Sequence, residues 1–364
     1  MKIALFTDQG AHYRFPCFRA IESSSPEWGE VDFYIPDSDA GGLHVLKNAV
    51  GLKSVRRINN IKIAKRLFYQ TEVVRACLSG KYDVVVLWGG INILSTWLGC
   101  FLSKLTKTQI VLWGHGYYGN EHHFIATART LMYRQASGHL LYGDHGLRLL
   151  KQSLPNSRAK VIYNSLDVAD IRQHVERSYC FKKGEKWDLI FVGRITAVKN
   201  LNLLLAACEI LKEKGEVLKI LVVGEGGLRD SLTQHAIAMG IGDWFDWVGP
   251  CYDDQILAGY FKKSKFCISP GNIGLMAMHS LYNETPVITH RDMTAQMPEA
   301  EAVVHGVNGF LFNPADSRDM ALTISSALRT DYLSMSDQCF ESVSEKYIPA
   351  EQASVFWELL EELN

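Results

Sequence analysis

Several features that would assign this chain to a simple class are missing from its 364 residues. The formal net charge is only −1, so no positive surplus indicates a nucleic-acid-binding protein. The eight cysteines form no Cys-x-x-Cys pair, which is typical of a reducing compartment. No stretch approaches the ~18–20 uncharged residues of a membrane span, and Asp8 interrupts the apolar start too early for a signal peptide. We therefore expect a cytoplasmic protein that binds no nucleic acid.

The chain does contain enough apolar residues, 47%, for large hydrophobic cores. Short β-branched runs alternate with longer amphipathic segments, first from KIALFT to KVIYN and again from DLIFVG to GFLF. Such runs indicate parallel strands that are covered on both faces, and the apolar spacing predicts helices over 61–79 and 92–104. Two such series predict an α/β fold with two doubly wound, Rossmann-like domains.

Two cations follow the strand predicted at the start of the second series, in the segment VGRITAVKN. Arg194 and Lys199 come after Gly193, which permits a tight turn, and before a predicted helix. Ligands of open parallel sheets bind beyond the carboxyl ends of the strands, and the N–H groups of a helix start favour anions. The pattern predicts a diphosphate site at Arg194 and Lys199. The ordinary alternative is a surface arginine and a lysine near a helix cap.

A loop of small residues, Ser-Pro-Gly-Asn at 269–272, leads into a helix predicted over 273–282. Such a loop is a second potential anion site. Leu275 and His279 are four residues apart and therefore share one face of that helix. A single helical histidine is more often a capping or core residue than a ligand-binding one.

The segments FVGRITAVKNLNLLLAA, VVGEGGLRDSL, PVITHRD and EAVVHGVNGFLF occur in the order seen in retaining GT-B glycosyltransferases of family 4. The chain resembles this family strongly over 187–316 and more weakly in its first half, through MKIALFTD, WGHG and VIYNSLDV. The resemblance implies two Rossmann-like domains that face a central cleft. It places an acceptor domain over 1–167, a donor domain over 168–344, and a terminal helix in 345–364 that crosses back to the first domain.

The resemblance also implies an activity. It is that of a metal-independent hexosyltransferase, which moves a sugar from a nucleoside-diphosphate-sugar to a hydroxyl of a saccharide or lipid-linked acceptor with retention and without a cofactor. Bacterial surface polysaccharide or glycolipid assembly is the expected setting. Carried over by position, Arg194 and Lys199 stabilise the leaving diphosphate, and His115 is a third catalytic residue. The expected donor-binding residues are Gly10, Gly193, Gly224, Cys251, Asn272, Gly274, Leu275, His279 and Glu301.

One departure from the family concerns its two motif glutamates, which are separated by seven residues. The corresponding positions here are Gly271 and His279. We expect His279 to replace the contact to the ribose and Asn272 the contact to the sugar. Since both glutamates are lost, a catalytically silent GT-B scaffold is an alternative. A nucleotide-sugar epimerase, which shares the cleft and the nucleotide-binding half, is another.

Two segments of the first half carry weaker predictions. Between Lys47 and Lys81 there are nine Lys or Arg residues and one acid, Glu72, which fits either a solvated helix face or peripheral contact with anionic membrane lipid. The segment NEHH at 120–123 contains possible metal ligands, but adjacent histidines do not share a helix face, so we expect no metal site there. His12 and Arg14 are weaker candidates for acceptor contact.

Overall fold

The computed structural model describes residues 1–36, 51–64, 67–177 and 183–364. These residues form two compact units. The first comprises Met1–Leu166 and Ile348–Asn364, and the second comprises Asp167–Tyr347. Each unit has its own parallel sheet.

The sheet of the first unit has seven strands in the order β3-β2-β1-β6-β7-β8-β9. Its central strands are buried on both faces because helices cover both sides, which explains their continuous Val, Ile and Leu runs. A separate antiparallel hairpin consists of β4 (Ile61–Ala64) and β5 (Leu67–Tyr69). The strands of the sheet are β1 (Lys2–Phe6), β2 (Glu30–Pro36), β3 (Val55–Ile58), β6 (Val84–Trp88), β7 (Gln109–Gly114), β8 (Gly138–Leu141) and β9 (Ala159–Val161).

Helices cover the two faces of this sheet unequally. One core contains side chains of α1 and α13, and Trp357 of α13 donates its Nε1–H to the carbonyl of Ile21 at 3.0 Å. The opposite core contains side chains of α2, α3, α4 and α5. The helices are α1 (Phe15–Ser23), α2 (Thr71–Leu78), α3 (Leu94–Leu102), α4 (His123–Tyr133), α5 (Asp144–Ser153) and α13 (Pro349–Leu363).

The helix predicted over 61–79 is wrong in its first half. Residues 61–69 contain the hairpin β4–β5, and α2 begins only at Thr71. The stretch Ile61-Lys62-Ile63 alternates apolar and polar residues, which equally fits a strand. The helix predicted over 92–104 is present as α3, in the narrower bounds of its observed ends.

The second unit has a six-stranded sheet in the order β12-β11-β10-β13-β14-β15. Its strands are β10 (Trp187–Val192), β11 (Ile220–Val223), β12 (Phe245–Gly249), β13 (Ser264–Ser269), β14 (Val287–His290) and β15 (Gly309–Phe312). Its helices are α6 (Val168–Arg177), α7 (Leu201–Glu213), α8 (Arg229–Ala238), α9 (Asp254–Lys262), α10 (Met276–Tyr282), α11 (Ser317–Leu328) and α12 (Tyr332–Glu341).

Aspartate caps fix the starts of three of these helices. Asp253 accepts a hydrogen bond from the N–H of Ile256 at 2.9 Å, and Asp316 and Asp331 cap α11 and α12 in the same manner. Each such cap contributes about 1 kcal/mol to helix stability. Among the described residues, no helix is both long enough and apolar enough to cross a membrane.

The strand order reverses once in each sheet. The reversal lies between β1 and β6 in the first unit and between β10 and β13 in the second. In a doubly wound sheet, the connections on either side of such a point run to opposite faces, which leaves a crevice at the carboxyl ends of the two strands. The loops that follow these four strands are therefore where each unit is expected to bind a ligand.

Candidate functional site

In the second unit, two glycines allow the ends of β10 and β11 to approach closely. Gly193 and Gly224 adopt φ values of 149° and 146°, which side chains disfavour. A Cβ on Gly224 would lie 1.9 Å from the carbonyl oxygen of Gly193. Gly224 also donates to the carbonyl of Gly249 at 2.7 Å. The turn after β10 therefore requires a glycine at position 224.

The two cations predicted from the sequence lie directly after this turn. Arg194 is exposed and Lys199 is partly buried. The Lys199 Nζ donates to the carbonyl of Asn272 at 2.7 Å. Burial and, second, the charge of Arg194 lower the pKa of Lys199 to about 8, whereas Glu299 opposes this shift. An anion beside Nζ would raise this pKa again, because it favours the charged form.

The loop after β13 is hydrogen-bonded to the segment that carries Lys199. Gly271 donates to the carbonyl of Lys199 at 3.1 Å, and Asn272 donates to that of Val198 at 3.3 Å. A Cβ on Gly271 would lie 2.0 Å from the Val198 oxygen. The backbone contact therefore leaves no room for a side chain where the related family has its first motif glutamate.

Asn272 has a polar atom available to a ligand. Its Oδ1 is buried and has no hydrogen-bond partner among the described residues, and buried polar atoms are rarely left in that state. Gly274 follows with φ 56°, and Leu275 directly precedes α10. The left-handed glycine explains why α10 begins at Met276 and not at Ile273 as predicted. Gln296 accepts a hydrogen bond from the N–H of Ile273 at 2.9 Å and so holds the loop in place.

The other predicted donor-binding residues of this unit are less closely connected to Lys199. His279 is partly buried on α10, and its carbonyl accepts a hydrogen bond from Asn283 Nδ2 at 2.7 Å. Cys251 follows β12 and its thiol donates to the carbonyl of Asp253 at 3.5 Å. Glu301 is partly buried in a 3₁₀ turn, Pro298–Ala302.

Glu299 was missed by the sequence analysis. It is 3% exposed and interacts electrostatically with Lys199. The sequence Pro-Glu-Ala-Glu-Ala offers two glutamates two residues apart, and the resemblance to the family selected Glu301. Only the structure distinguishes the buried glutamate that acts on Lys199 from its partly exposed neighbour.

In the first unit, Arg14 is the central charged side chain at the carboxyl end of β1. Its Nη1 donates to Asp8 Oδ1 at 3.1 Å, and its guanidinium lies 4.7 Å from the centre of the Trp88 ring. A small cavity beside it is also lined by Thr7 and Tyr142. Thr7 Oγ1 is buried without a hydrogen-bond partner among the described residues. Arg14 was only a weak candidate from the sequence, and Trp88 and Tyr142 were not predicted, since an isolated aromatic residue carries no motif.

His115 follows β7 in the same unit and is surrounded by aromatic rings. Its ring centre lies 5.2 Å from that of Tyr142 and 5.8 Å from that of Trp88. Burial and, second, the charges of Arg14 and Arg129 lower the pKa of His115 to about 4. The imidazole is therefore neutral near pH 7, and its Nδ1 has no hydrogen-bond partner among the described residues. Gly10 lies buried in the loop after β1.

Two groups of potential metal ligands differ in their burial and in their hydrogen-bonding partners. Glu121, in the segment at 120–123, pairs with Arg129 at 2.7 Å and accepts from the N–H of Tyr118, which is a structural role. Asp170, His174 and Asp254 have ligand atoms within 4.8 Å of one another, and both aspartates are exposed. Exposed groups of this kind are common without a bound ion.

The second unit thus places two cations beside loops that make close backbone contacts, and the first contains a partly buried arginine among aromatic rings. Residues 176–342 match the family model described as glycosyl transferases group 1. The match falls within the second unit, so it is this part of the chain that is similar to the family.

The curated proteins that the chain resembles differ in what their names say they act on. The chain is 25% identical over 171 residues to a GDP-mannose-dependent alpha-(1-6)-phosphatidylinositol dimannoside mannosyltransferase of Mycobacterium tuberculosis, covering 41% of this chain and 43% of the relative. It is 26% identical over 217 residues to the alpha-monoglucosyldiacylglycerol synthase of Streptococcus pneumoniae, covering 53% and 48%. The chain thus spans about half the length of the curated relatives it matches.

Solved structures resemble the whole chain. Anabaena HepE in complex with UDP has a TM-score of 0.69 at 17% identity and covers 100% of both chains. The sucrose-phosphate synthase of Thermosynechococcus elongatus has a TM-score of 0.72 at 18% identity and covers 100% of this chain and 99% of its own. A lipopolysaccharide outer core galactosyltransferase, WaaB, has a TM-score of 0.72 at 14% identity over 100% of both. The prediction of a GT-B fold with two Rossmann-like units is confirmed.

Proposed function

We propose that this chain is a glycosyltransferase of group 1, and that it transfers a sugar from a nucleoside-diphosphate-sugar to a hydroxyl acceptor with retention of the anomeric configuration. The observation that carries the proposal is the placement of Lys199 beside Arg194 at the strand-order reversal of the second unit, with its Nζ bonded to the Asn272 loop. Two fixed cations at this position suit a diphosphate, whose negative charge increases as it leaves.

In the proposed step, the bond between the anomeric carbon and the diphosphate oxygen breaks, and its electron pair leaves with the diphosphate. The acceptor oxygen forms the new bond on the same face of the sugar. The acceptor proton passes to the leaving phosphate oxygen, so no protein nucleophile is required. Arg194 and Lys199 offset the charge that the leaving group gains, which is the task a divalent metal performs in other transferases. We therefore propose metal-independent transfer without a cofactor.

The donor and acceptor classes are narrower parts of the same proposal. One relative is named as GDP-mannose-dependent, and HepE was solved with UDP, so both bases belong in a donor panel. The two curated relatives are named for glycolipid products, which favours a lipid-linked or saccharide acceptor in surface glycolipid or polysaccharide assembly. The roles assigned to all of the site residues stay predictions. They are the catalytic roles of Arg194, Lys199 and His115 and the donor contacts of Gly10, Gly193, Gly224, Cys251, Asn272, Gly274, Leu275, His279 and Glu301.

Release of nucleoside diphosphate tests this proposal. The wild-type chain is incubated with UDP-, GDP- and dTDP-sugars without acceptor, since a stabilised leaving group permits slow hydrolysis. We expect turnover with at least one donor, and a loss of roughly 10²–10³ in kcat for Lys199→Ala and Arg194→Ala. Lys214→Ala is the matched control, because Lys214 is exposed at the end of α7. Repeating the assay with EDTA tests metal independence.

A catalytically silent scaffold is the second candidate, favoured by Gly271 and His279 at the two glutamate positions. It would bind a nucleotide in calorimetry and release none from any donor. An epimerase would instead convert the donor into its isomer without a net loss of the sugar nucleotide. Either outcome would contradict the transferase.

A further inference from the structure

The exposed large apolar side chains of the first unit are confined to one side of its sheet. In the described part of this unit, all of them lie on the hairpin β4–β5 or between the start of α2 and the end of α4. Helices α1 and α13, on the opposite face, expose none. Six of these residues form what we call the apolar surface: Leu98, Phe101, Leu105, Phe124, Ile125 and Leu131.

The residues of the apolar surface are well exposed and come from neighbouring segments. Leu105 and Phe124 are each 77% exposed. Leu98 and Phe101 are three residues apart on α3 and therefore share one face of it, and Leu105 lies in the 3₁₀ turn Ser103–Leu105 that follows. The hairpin β4–β5 lies beside the start of α3. Phe68 of β5 donates its N–H at 3.0 Å to the carbonyl of Asn92, which is two residues before the start of α3. Ile61 and Ile63 of that hairpin are 48% and 54% exposed.

The charges around the apolar surface are mostly positive. Lys62, Arg75, Lys104 and Lys107 are exposed, and none forms an ion pair with another described residue. No acid occurs between Asp83 and Glu121, and the Glu121 carboxylate is paired with Arg129. The opposite face differs, since α13 carries four glutamates at 351, 358, 361 and 362.

We propose that the apolar surface, with the hairpin β4–β5 and the surrounding cations, docks the first unit on an anionic lipid bilayer. A surface that combines exposed aromatic and aliphatic side chains with lysines at its rim is the form that interfacial membrane binding requires. Pairing with a second copy of this chain fits less well, because a symmetric interface would bring the two sets of lysines together. The proposal makes the membrane contact predicted for 47–81 more specific. Most of the binding surface lies outside that segment, and residues 47–50, 65 and 66 lie outside the described part of the chain.

Vesicle flotation of the full chain tests the proposal, with phosphatidylcholine vesicles that either contain or lack phosphatidylglycerol. We expect binding to the anionic vesicles that weakens with salt. The double variants Phe101→Ser with Leu105→Ser and Lys104→Glu with Lys107→Glu should each reduce the bound fraction roughly tenfold. Leu322→Ser is the matched control, because Leu322 is 56% exposed on α11 of the second unit. Circular dichroism melts check that every variant is folded.

Three results would overturn the docking surface. They are absence of wild-type binding to either vesicle, wild-type binding by the Phe101→Ser, Leu105→Ser variant, and a concentration-dependent dimer that this variant loses. The inference rests on the proposed function only for its purpose, which is access to a lipid-linked acceptor. Donor hydrolysis in vesicle-free solution should be equal in all these variants. Failure of hydrolysis therefore contradicts the transferase, and failure of flotation contradicts the surface.

Discussion

The two strand-order reversals of this protein differ in the groups that surround them, which are mainly backbone groups in one unit and side chains in the other. In the second unit, backbone groups make the pocket: Gly224 and Gly271 bring carbonyl and amide groups together, and Lys199 bonds to a carbonyl. In the first unit, side chains make it: Arg14 lies between Asp8 and the face of Trp88, and His115 lies among aromatic rings. A backbone-built pocket suits a phosphate group that is the same in every donor. Side chains differ more readily between related proteins, so the site of the first unit suits the proposed acceptor, which differs from one transferase to another.

The largest expected effect concerns Gly271→Glu, which restores the glutamate of the related family. Because a Cβ here would lie 2.0 Å from the Val198 oxygen, the Lys199 segment would have to move. We expect a loss of about 2–4 kcal/mol in the free energy of unfolding, together with weaker donor binding. Urea denaturation measures the first and calorimetry the second.

His279→Glu is the matched control for that variant. The substitution restores the second glutamate of the related family, and His279 is only partly buried. It should unfold close to the wild type. A Gly271→Glu variant of wild-type stability would show that the backbone contact is not required.

The variant Arg14→Ala tests whether the two units have different functions. Its loss removes charge-assisted contacts worth about 1.5–3 kcal/mol, so transfer to an acceptor should fall roughly tenfold to hundredfold. Donor hydrolysis without acceptor should stay near the wild-type rate, because the backbone-built pocket is untouched. Arg148→Ala, at an exposed position on α5, is the control. Equal losses of hydrolysis and transfer would place Arg14 in donor chemistry and remove the distinction.

A smaller effect is expected from pH. The pKa of Lys199 is lowered to about 8, so its charged fraction falls as the pH rises through that value. We expect kcat/KM for donor hydrolysis to decrease by at most about tenfold between pH 7 and pH 9. The kcat should be flatter, because bound diphosphate raises the pKa of the ammonium.

Lys199→Arg should remove this pH dependence while retaining some activity, since arginine stays charged over the range. His115, with a pKa of about 4, stays neutral throughout and cannot cause the decline. A decline that persists in Lys199→Arg would assign it to another group.

Much of the fold could be predicted because its signals are local. In the run DLIFVG, for example, the central residues Leu189, Ile190 and Phe191 are buried in the sheet, as its apolar composition predicts. The hairpin β4–β5 was mistaken for helix because the alternation in Ile61-Lys62-Ile63 is too short to be told from a helical period. The start of α10 was placed too early because Gly274 adopts a left-handed conformation, and the preceding Ile273 is hydrogen-bonded to Gln296, which is distant in sequence.

The candidate site was predictable to the extent that it consists of glycines, charges and small polar residues just after the strands β10, β11 and β13. Gly193, Lys199, Gly224 and Asn272 lie within short segments whose spacing reflects the turn itself. Glu299 could not be distinguished from Glu301, because burial separates them and spacing does not. Trp88 lies more than seventy residues from Arg14 in the chain, and only the sheet brings the two side chains into contact.

The docking of α13 on the first unit has a consequence for synthesis on the ribosome. The second unit, Asp167–Tyr347, is one uninterrupted segment and can fold once it has emerged. The first unit begins earlier but lacks Phe356, Leu359 and Leu360 of its core until α13 is made. At ~5–20 residues per second, the intervening segment takes roughly 10–40 s to translate. During that interval the core residues on the α1 side of the sheet are left uncovered. Nascent chains of this protein should therefore depend on chaperones at that stage.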